Sequence, residues 1–561
     1  MDLFDLYQSK CDELYETISP TKEITFKMPI QYVNHSEINS IIKSDLELSK
    51  TYINLVSDSM LINNWTSYYT TNKQFLKDTQ KHIANIKPLE PNVNVNVNIL
   101  SEYTTFKSET SFIEKFNYIG LKMFKNLNYS PTFLHGLGLY NLAAPVISLF
   151  SPILALIVPF IILKLRRIPI TISDYITFLK TMITQNSIYK LFTNFTEISA
   201  QQRMTTIITL FFYFFQIYSN IMSCLSFYKN IHSISAFLHN YKNYIEQSVI
   251  NMNVLQSTLK YKSYIQFNAD IDLHKSRLHA LYLRLNTILP YKNTISKIGQ
   301  LGIIMNLNYE LFIKQEYHES FMFSIYLQQY IQDVNHIKSL GLHKCKFINK
   351  MNKCTKLTSM YYLPHIQETY VTNDIDLSQN IIITGPNASG KTTILKSLLI
   401  NLLLSQQIGY GCYKTANIKL YDIFHSYLNI PDTSGRDSLF QAEARRCKDI
   451  LVSIVENPTK SHCCIFDEIY SGTNPNDAIM CASLYLDKLN DFKSSVDYVL
   501  TTHYIQLCEN FDKNLFNLNL KMNVNVLEDK IEYLYLMVPG ISYIHGGKQV
   551  IKELNYPLFS L

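Results

Sequence analysis

Apolar and polar residues follow different spacings in successive parts of the chain. Up to about residue 125 the spacing is mainly helical, except where Val93, Val95, Val97 and Ile99 alternate with asparagine. A period of two predicts a half-buried strand, and a loop of low complexity is the alternative. Residues 230 to about 340 have apolar positions three and four apart, which predicts long packed helices.

Two stretches between these regions contain no charged residue, residues 142–163 (LAAPVISLFSPILALIVPFIIL) and residues 204–228. At 1.5 Å per residue the first forms about 33 Å of helix, enough to cross the hydrocarbon of a bilayer. Its prolines predict kinks, which membrane segments tolerate. We predict that the two stretches form a hairpin in contact with a membrane. An unusually apolar helical core of a soluble protein is the alternative. The prolines are Pro145, Pro152 and Pro159.

A glycine-rich turn follows the apolar run at residues 380–384. The stretch from Gly385 to Thr392 fits G-x-x-x-x-G-K-[ST], with a predicted strand before it and a predicted helix after it. Glycines let backbone N–H groups converge on a phosphate, and the lysine reaches the β and γ oxygens. The predicted ATP-binding residues of this turn are Gly385, Pro386, Asn387, Ala388, Ser389, Gly390, Lys391, Thr392 and Thr393.

Two later apolar runs end in polar residues that complete an ATP hydrolase. In HCCIFDE, Asp467 is predicted to share Mg²⁺ with the hydroxyl of Thr392, and Glu468 to polarise the attacking water. In DYVLTTHY, His503 is placed to sense the γ-phosphate, although a structural histidine is the alternative. The sequence therefore predicts ATP and Mg²⁺ as cofactors, with Lys391, Glu468 and His503 as the catalytic residues.

The basic connection between the uncharged stretches limits how a hairpin can enter a membrane. Basic loops prefer the cytoplasmic side, where a nucleotide domain also lies, so two complete spans satisfy only one of these preferences. We therefore expect a re-entrant or surface-lying hairpin that is broken at its prolines. The basic residues of the connection are Lys164, Arg166, Arg167, Lys180, Lys190 and Arg203.

Five motifs in this order resemble the MutS family of DNA mismatch-repair ATPases, over roughly residues 360–557. They are VTNDIDLSQNIIITGPNASGKTT, SGRDSLFQAE, FDEIYSGTNPNDA, TTHY and YLYLMVPGISYIHGGKQVIKELNYP. The resemblance implies an α/β P-loop ATPase domain of the ABC/MutS type, which ends in a strand, a turn and a helix. It also implies a composite site, in which Ser438 of one subunit grips the ATP bound by the other subunit of a homo- or heterodimer.

The resemblance implies a function and leaves a second hypothesis open. The first is an ATP hydrolase that couples dimer closure to binding of mismatched or branched DNA, in mismatch repair or recombination. The second is a membrane-associated, ABC-type mechanical ATPase that acts on a protein or lipid without DNA. A third hypothesis, a scaffold that binds nucleotide without hydrolysing it, is disfavoured. Such a scaffold would not need the full set of catalytic residues that the sequence carries.

The sequence departs from the family pattern at several places. Tyr470 and Ser471 replace the glycine and arginine usual after the acidic pair, so the turn at the subunit interface is expected to differ. Phe112–Glu114 fits the Phe-x-Glu of the family's mismatch wedge, but its surroundings predict an ordinary apolar helical face. The chain also ends without the helical dimerisation tail frequent in the family, so a dimer is expected to rest on ATP and on other surfaces.

Composition and charge say less about function than the motifs do. The net charge of +6 permits a nucleic-acid partner without requiring one, and ten cysteines without metal-binding spacings predict buried free thiols in a reducing compartment. The N-terminus lacks the pattern of a cleaved secretory signal. We therefore expect an intracellular protein, at the cytoplasmic face of a membrane if the hairpin contacts one.

The patterns divide the chain into four predicted regions. A mostly helical clamp or lever, with hydrophobic segments that associate with a membrane, precedes the ATPase domain. The regions are a mixed helical one at 1–130, the hydrophobic segments at 131–230, the lever helices at 231–355 and the ATPase domain at 356–561.

Overall fold

The computed structural model describes most of the chain. The described residues are 26–56, 59–88, 94–108, 112–185, 189–190, 193, 199–288, 298–348, 354–428, 430, 438–512, 515–527 and 530–544. The N-terminal segment, Val93 and the helix predicted at the end of the ATPase domain lie outside these residues.

The helices are numbered in chain order. They are α1 (Ser40–Asp45), α2 (Leu48–Val56), α3 (Ile62–Trp65), α4 (Lys73–Asn85), α5 (Asn94–Ser108), α6 (Phe112–Lys115), α7 (Pro131–Leu165), α8 (Ile172–Gln185), α9 (Ala200–Thr258), α10 (Ile265–Leu285), α11 (Leu301–Ile313), α12 (Gln315–Ser339), α13 (Lys391–Gln407), α14 (Leu439–Glu456), α15 (Pro475–Asn490) and α16 (Ile505–Phe511). Short 3₁₀ helices lie at Pro29–Tyr32, Lys122–Tyr129, Lys262–Tyr264 and Leu363–His365.

The strands form three sheets among the described residues. They are β1 (Ser36–Glu37), β2 (Tyr68–Tyr69), β3 (His343–Phe347), β4 (Lys356–Met360), β5 (Asn373–Asp376), β6 (Asn380–Thr384), β7 (Tyr410–Gly411), β8 (Thr415–Ile418), β9 (Ile423–Tyr427), β10 (His462–Asp467), β11 (Val496–Thr502), β12 (Asn517–Leu527) and β13 (Lys530–Pro539). The sheet orders are β1-β2, β5-β4-β8-β3-β7 and β13-β12-β6-β11-β10-β9.

The chain divides into two compact units. The helical unit comprises Met1–Glu23, Pro91–Val249 and His274–Met322. The sheet unit comprises Ile24–Glu90, Ile250–Leu273 and Phe323–Leu561, and it contains every described strand. The predicted combination of an α/β part and a mostly helical part is confirmed. The four sequence regions stay a prediction.

The six-stranded sheet positions the candidate site. Strands β12, β6, β11, β10 and β9 are parallel, and β13 runs antiparallel to β12. Ile381, Ile382 and Ile383 of β6 are fully buried, as expected for a parallel strand that is covered on both faces. Helices α14 and α15 pack on β10 and β11 through Ile450, Leu486 and other apolar residues. The carboxyl ends of the neighbouring strands β6, β11 and β10 therefore meet at one edge.

The strand predicted from the valine–asparagine alternation is wrong, and so is the alternative loop. Residues 94–108 form helix α5. The later part of this helix supplies Tyr103 and Phe106, whose rings lie 4.5 Å from Phe321 and 4.8 Å from Phe237 in the aromatic core of the helical unit. Packing of this helical face outweighs the local alternation, because strand propensity depends strongly on context.

The interpretation of Phe112 as part of an apolar helical face is confirmed. Phe112 begins the short helix α6 and is buried, with its ring 5.3 Å from Phe116 and 5.4 Å from Tyr118. A wedge that enters a DNA duplex has to be exposed. The structure therefore gives this segment a packing role.

The two uncharged stretches form long helices. Helix α7 runs without interruption through Pro145, Pro152 and Pro159, so the predicted breaks are wrong. A hydroxyl group replaces part of the hydrogen bonding that proline removes, since Ser151 Oγ donates at 3.0 Å to Ser148 O, which Pro152 leaves without its helical donor. Within the described residues, α7 and α9 are the helices long and apolar enough to cross a membrane.

The described cysteines confirm the prediction of free thiols, but three of them are not buried. All cysteines within the described ranges are free, but Cys354 is exposed, and Cys224 and Cys481 are half-buried. Burial raises the pKa of Cys345 and of Cys412 to about 12, so neither thiol is a reactive thiolate at neutral pH.

Candidate nucleotide site at the carboxyl edge of the sheet

The glycine-rich turn joins β6 to α13, as predicted. A Cβ atom on Gly385 would lie 2.8 Å from Ser389 Oγ and 2.9 Å from Met522 Cβ, which leaves no space for a side chain. Gly390 has a φ of +94°, a conformation that L side chains rarely adopt. The two glycines therefore allow the turn to close tightly before the helix begins.

The turn presents groups that suit a phosphate. Asn387 and Ala388 are exposed at its rim, and Ala388 has a φ of +62°. Ser389 Oγ is buried and has no hydrogen-bond partner within the described structure. The turn leads into the N-terminus of α13, where backbone N–H groups attract an anion. Thr392 and Thr393 are exposed in the first turn of that helix.

Lys391 is folded back onto the turn. Its Nζ donates to Gly385 O at 3.1 Å and to Pro386 O at 3.3 Å, and it lies 3.1 Å from His503 Nε2. Burial lowers the pKa of Lys391, whereas the carboxylates of Glu468 and Asp467 act in the opposite direction. The ammonium group therefore lies between the turn and the acidic pair, where γ-phosphate oxygens would be contacted.

Asp467 ends β10 and links two neighbouring elements. Its Oδ2 accepts a hydrogen bond from Thr392 Oγ1 at 2.7 Å, and its Oδ1 accepts one from Thr501 Oγ1 in β11. A hydroxyl and a carboxylate oxygen are donors that suit Mg²⁺, which usually keeps several waters and takes phosphate oxygens as further ligands. No cluster of three or more His, Cys, Asp or Glu suited to a metal occurs in the described ranges.

Glu468 and His503 form a close pair beside Lys391. Their Oε1 and Nε2 atoms are 2.9 Å apart. The hydrogen bond with His503 lowers the pKa of Glu468, while partial burial opposes that effect. Nε2 can donate to Glu468 or accept from Lys391, but one nitrogen cannot do both. Glu468 also has a φ of +53°, and its backbone N–H donates to Thr501 O at 3.0 Å.

The structure brings five predicted residues together and leaves Ser438 apart from them. Ser438 is exposed and caps α14, where its Oγ accepts from Gln441 N at 3.3 Å. No hydrogen bond joins Ser438 to the other site residues within the described structure. The residues brought together are Lys391, Thr392, Asp467, Glu468 and His503.

Glu443, the last residue of the motif SGRDSLFQAE, has a structural role that the motif did not specify. This buried carboxylate accepts hydrogen bonds from Ser471 N at 3.1 Å, from Ser471 Oγ at 2.8 Å and from Gly472 N at 3.1 Å. Tyr470 packs on Phe440, with ring centroids 5.9 Å apart. The residues that depart from the family pattern after the acidic pair thus attach this turn to the start of α14.

Thr501 was also missed as a site residue. Its hydroxyl orients Asp467, and its backbone carbonyl holds the N–H of Glu468. The sequence contained only a weak signal for Thr501. It is a threonine near the end of an apolar strand, beside the strand that carries the acidic pair. Only the pairing of β10 with β11 shows that Thr501 lies opposite Asp467.

Comparisons with known proteins concern the same part of the chain. The MutS domain V family profile matches residues 381–559. The DNA mismatch repair protein MutS of Christiangramia forsetii is 31% identical over 198 residues, which cover 34% of this chain and 22% of the relative. The Endonuclease MutS2 of Staphylococcus saprophyticus is 30% identical over 182 residues, which cover 31% of this chain and 22% of the relative.

A third relative matches a longer part of the chain. The DNA mismatch repair protein MutS of Macrococcus caseolyticus is 25% identical over 279 residues, which cover 46% of this chain and 32% of the relative. The 46% of the chain that is covered is a larger share than residues 356–561 make up. The similarity therefore begins upstream of the predicted ATPase domain. The chain spans less than a third of the length of these curated relatives. Residues 381–559 of this chain therefore match domain V of the MutS family.

Proposed function

We propose that this protein is an ATPase of the MutS type that closes as a dimer around ATP and couples closure to DNA binding. The observation that carries the proposal is the meeting of Lys391, the Thr392–Asp467 pair and the Glu468–His503 pair at one sheet edge. These groups supply a phosphate cation, oxygen ligands and a base, and MutS-family proteins are ATPases in general.

The side chains suggest how the chain would act on ATP. Lys391 would exchange the carbonyls of the turn for phosphate oxygens. Glu468 would orient water and accept its proton at a carboxylate oxygen, and His503 would hold that carboxylate in place. Thr392 Oγ1 and Asp467 Oδ2 would hold Mg²⁺, which when bound neutralises charge on the phosphate oxygens.

The exposed cap of α14 supports a site completed by a second subunit. Ser438 stands at a helix N-terminus, whose first N–H groups have no partner within the helix. A γ-phosphate bound to another subunit would accept from these groups and from the hydroxyl. Binding would then draw two subunits together, and hydrolysis would release them.

DNA is the partner that the relatives favour. The matched relatives are named as DNA mismatch repair proteins and as an endonuclease, and the first of these names refers to work on DNA. We therefore propose mismatched or branched DNA as the partner, rather than a protein or lipid alone. The free thiols are compatible with the reducing interior of a cell, where we place the protein.

Glu468→Gln tests the catalytic assignment. We expect at least about a 100-fold loss of turnover with ATP binding retained, because the amide cannot accept the proton. Glu456→Gln, at the exposed end of α14, is the matched control and should leave turnover unchanged. Turnover by Glu468→Gln at the parent rate would remove Glu468 from the mechanism.

Ser438→Ala and a set of DNAs test the dimer and the partner. Ser438→Ala should reduce ATP-dependent dimerisation and turnover, measured by sedimentation and phosphate release, while the affinity of one subunit for ATP is kept. Asn72→Ala removes a comparable cap from α4 and controls for lost helix stability. Homoduplex, mismatched and branched DNA are then compared. If none binds or stimulates turnover, the DNA part of the proposal fails while the ATPase part stands.

A further inference from the structure

An apolar hairpin is the largest feature that the proposed function does not use. We define the apolar hairpin as residues 142–163 of α7 and 204–228 of α9. None of the most apolar window of α9 is buried, and only 11% of the most apolar window within Pro131–Ser151 of α7 is buried. The described part of the chain therefore does not bury the apolar hairpin, as the alternative of a soluble core requires.

Exposed apolar side chains cover a broad side of α9. Phe211, Phe212, Phe214 and Phe215 are each more than half exposed. Neighbours on a helix are rotated by about 100°, so these four positions spread over about 160° of the helix surface. An amphipathic surface helix turns an apolar stripe of about 100° toward its own core, whereas this wider apolar surface is left exposed. A docking groove for one partner helix would cover only part of this surface.

Side-chain contacts show that the two stretches run antiparallel. Tyr213 Oη donates to Leu149 O at 3.1 Å, and Cys224 Sγ lies 3.5 Å from Leu142 O. Residues later in α7 therefore lie beside residues earlier in α9. The two uncharged stretches begin and end at matching levels and form one slab, about 33 Å long at 1.5 Å per residue. That length matches the hydrocarbon core of a bilayer, about 30 Å.

Hydroxyl groups inside the slab donate hydrogen bonds to a backbone carbonyl. Pro152 has no N–H, so Ser148 O has no donor four residues later in the helix. This carbonyl accepts from Ser151 Oγ at 3.0 Å and has Tyr213 Oη at 3.5 Å. In water such a carbonyl would accept hydrogen bonds from solvent. In hydrocarbon every backbone group needs a hydrogen-bond partner within the protein.

Charged residues appear where the slab ends. The connection beyond it has more basic than acidic residues, and its described basic side chains are exposed or half-buried. Lys164 and Arg166 lie directly after the uncharged stretch of α7, and Arg203 lies directly before that of α9. Antiparallel pairing therefore brings basic residues to one end of the slab, where lipid phosphates would lie.

We propose that the apolar hairpin is embedded in the hydrocarbon of a lipid bilayer, with its basic end at the phosphate layer. The proposal commits to lipid as the occupant because a broad exposed apolar surface, matched slab length, internal hydrogen bonding and a basic end occur together. It goes beyond the proposed function, since a nucleotide site and DNA binding do not require it. A DNA-directed ATPase would then work while it is anchored to a membrane.

Alkaline extraction of membranes from cells that express the full chain tests the anchor. We expect the parent in the membrane pellet. The double variant Phe211→Arg/Phe214→Arg should move largely to the supernatant, because it places two charges on the lipid-facing surface. Leu283→Arg changes an equally exposed residue of α10 outside the hairpin and should stay in the pellet.

Fluorescence distinguishes lipid from a second copy of the chain. The native chain has one tryptophan, Trp65, which is buried in the sheet unit and serves as an internal reference. Phe214→Trp in vesicles of brominated phosphatidylcholine should lose most of its added emission, whereas Leu283→Trp and Trp65 should not.

Two results would overturn the proposal. One is an unquenched Phe214→Trp in a chain whose Trp65 emission shows that it is folded. The other is a parent protein found in the alkaline supernatant as a discrete oligomer, which would make a second copy the cover of the hairpin. Loss of ATP turnover by Glu468→Gln with the pellet location unchanged separates this proposal from the proposed function.

Discussion

Phe466 of β10 and Phe214 of α9 are phenylalanines in long apolar runs, but their surroundings are opposite. Phe466 is fully buried between the sheet and its covering helices, while Phe214 is 64% exposed. Around Phe466, polar groups gather at the strand ends and bond to each other. Around Phe214, hydroxyl groups bond to the backbone of the neighbouring helix. Composition alone therefore does not show whether an apolar run forms a core.

The largest expected difference in stability is between phenylalanine-to-alanine substitutions in the two regions. Phe466→Ala should lower the free energy of unfolding by about 3–5 kcal/mol, because it leaves a cavity in a packed core. Phe214→Ala in detergent should change it by less than about 0.5 kcal/mol. Denaturant unfolding followed by Trp65 emission measures both. Equal losses for the two variants would break the comparison, because they would show that the apolar hairpin is also packed within the chain.

A smaller effect is expected where the backbone of a turn depends on one buried carboxylate. Glu443→Ala removes the acceptor of the N–H groups of Ser471 and Gly472, which belong to exposed residues that water can reach. The free energy of unfolding should therefore fall by about 1–3 kcal/mol in all. Because this turn follows Glu468, turnover should fall about 10- to 100-fold. Denaturant unfolding and phosphate release are the measurements.

Two further variants sharpen the assignment of Glu443. Glu443→Gln keeps one acceptor oxygen and should recover part of both losses, whereas Glu456→Ala should cause neither. A stability loss with full turnover would mean that Glu443 supports the fold without positioning the site.

The smallest effect is a pH dependence in the pair Glu468–His503. The hydrogen bond lowers the pKa of Glu468 below its usual 4.5. A carboxyl group with a lowered folded pKa stabilises the fold above pH 4.5, and that stabilisation is lost as the pH falls through the folded pKa. His503→Ala should therefore destabilise above pH 4.5 and less so below it. The effect is small because the side chains are 38% and 40% exposed, so water screens the pair.

Unfolding measured across this pH range, with and without His503→Ala, checks the expectation. In a Glu468→Gln background the substitution should have no such pH dependence. A stability difference that is constant with pH would show that His503 does not set the pKa of Glu468.

The candidate site was largely predictable because its chemistry is carried by short motifs. The turn from Gly385 to Thr392 has a fixed spacing, and apolar runs before Asp467 and His503 predict strands that end in polar residues. Parallel strands then place those ends at one edge. The hydrogen bonds between Glu443 and the turn at Ser471 were not predictable. No residue near Glu443 in the sequence specifies that a turn 28 residues later bonds to it.

The sequence by itself determined the phosphate-binding turn, the acidic pair and the two uncharged helices, because each depends on residues close together in the chain. Tertiary structure decided that residues 94–108 are helical and that α7 continues through its prolines. It also decided that the apolar hairpin is exposed rather than buried. These outcomes depend on partners distant in sequence, such as Phe321 for Tyr103 and Tyr213 for Leu149, and local spacing carries no information about distant partners.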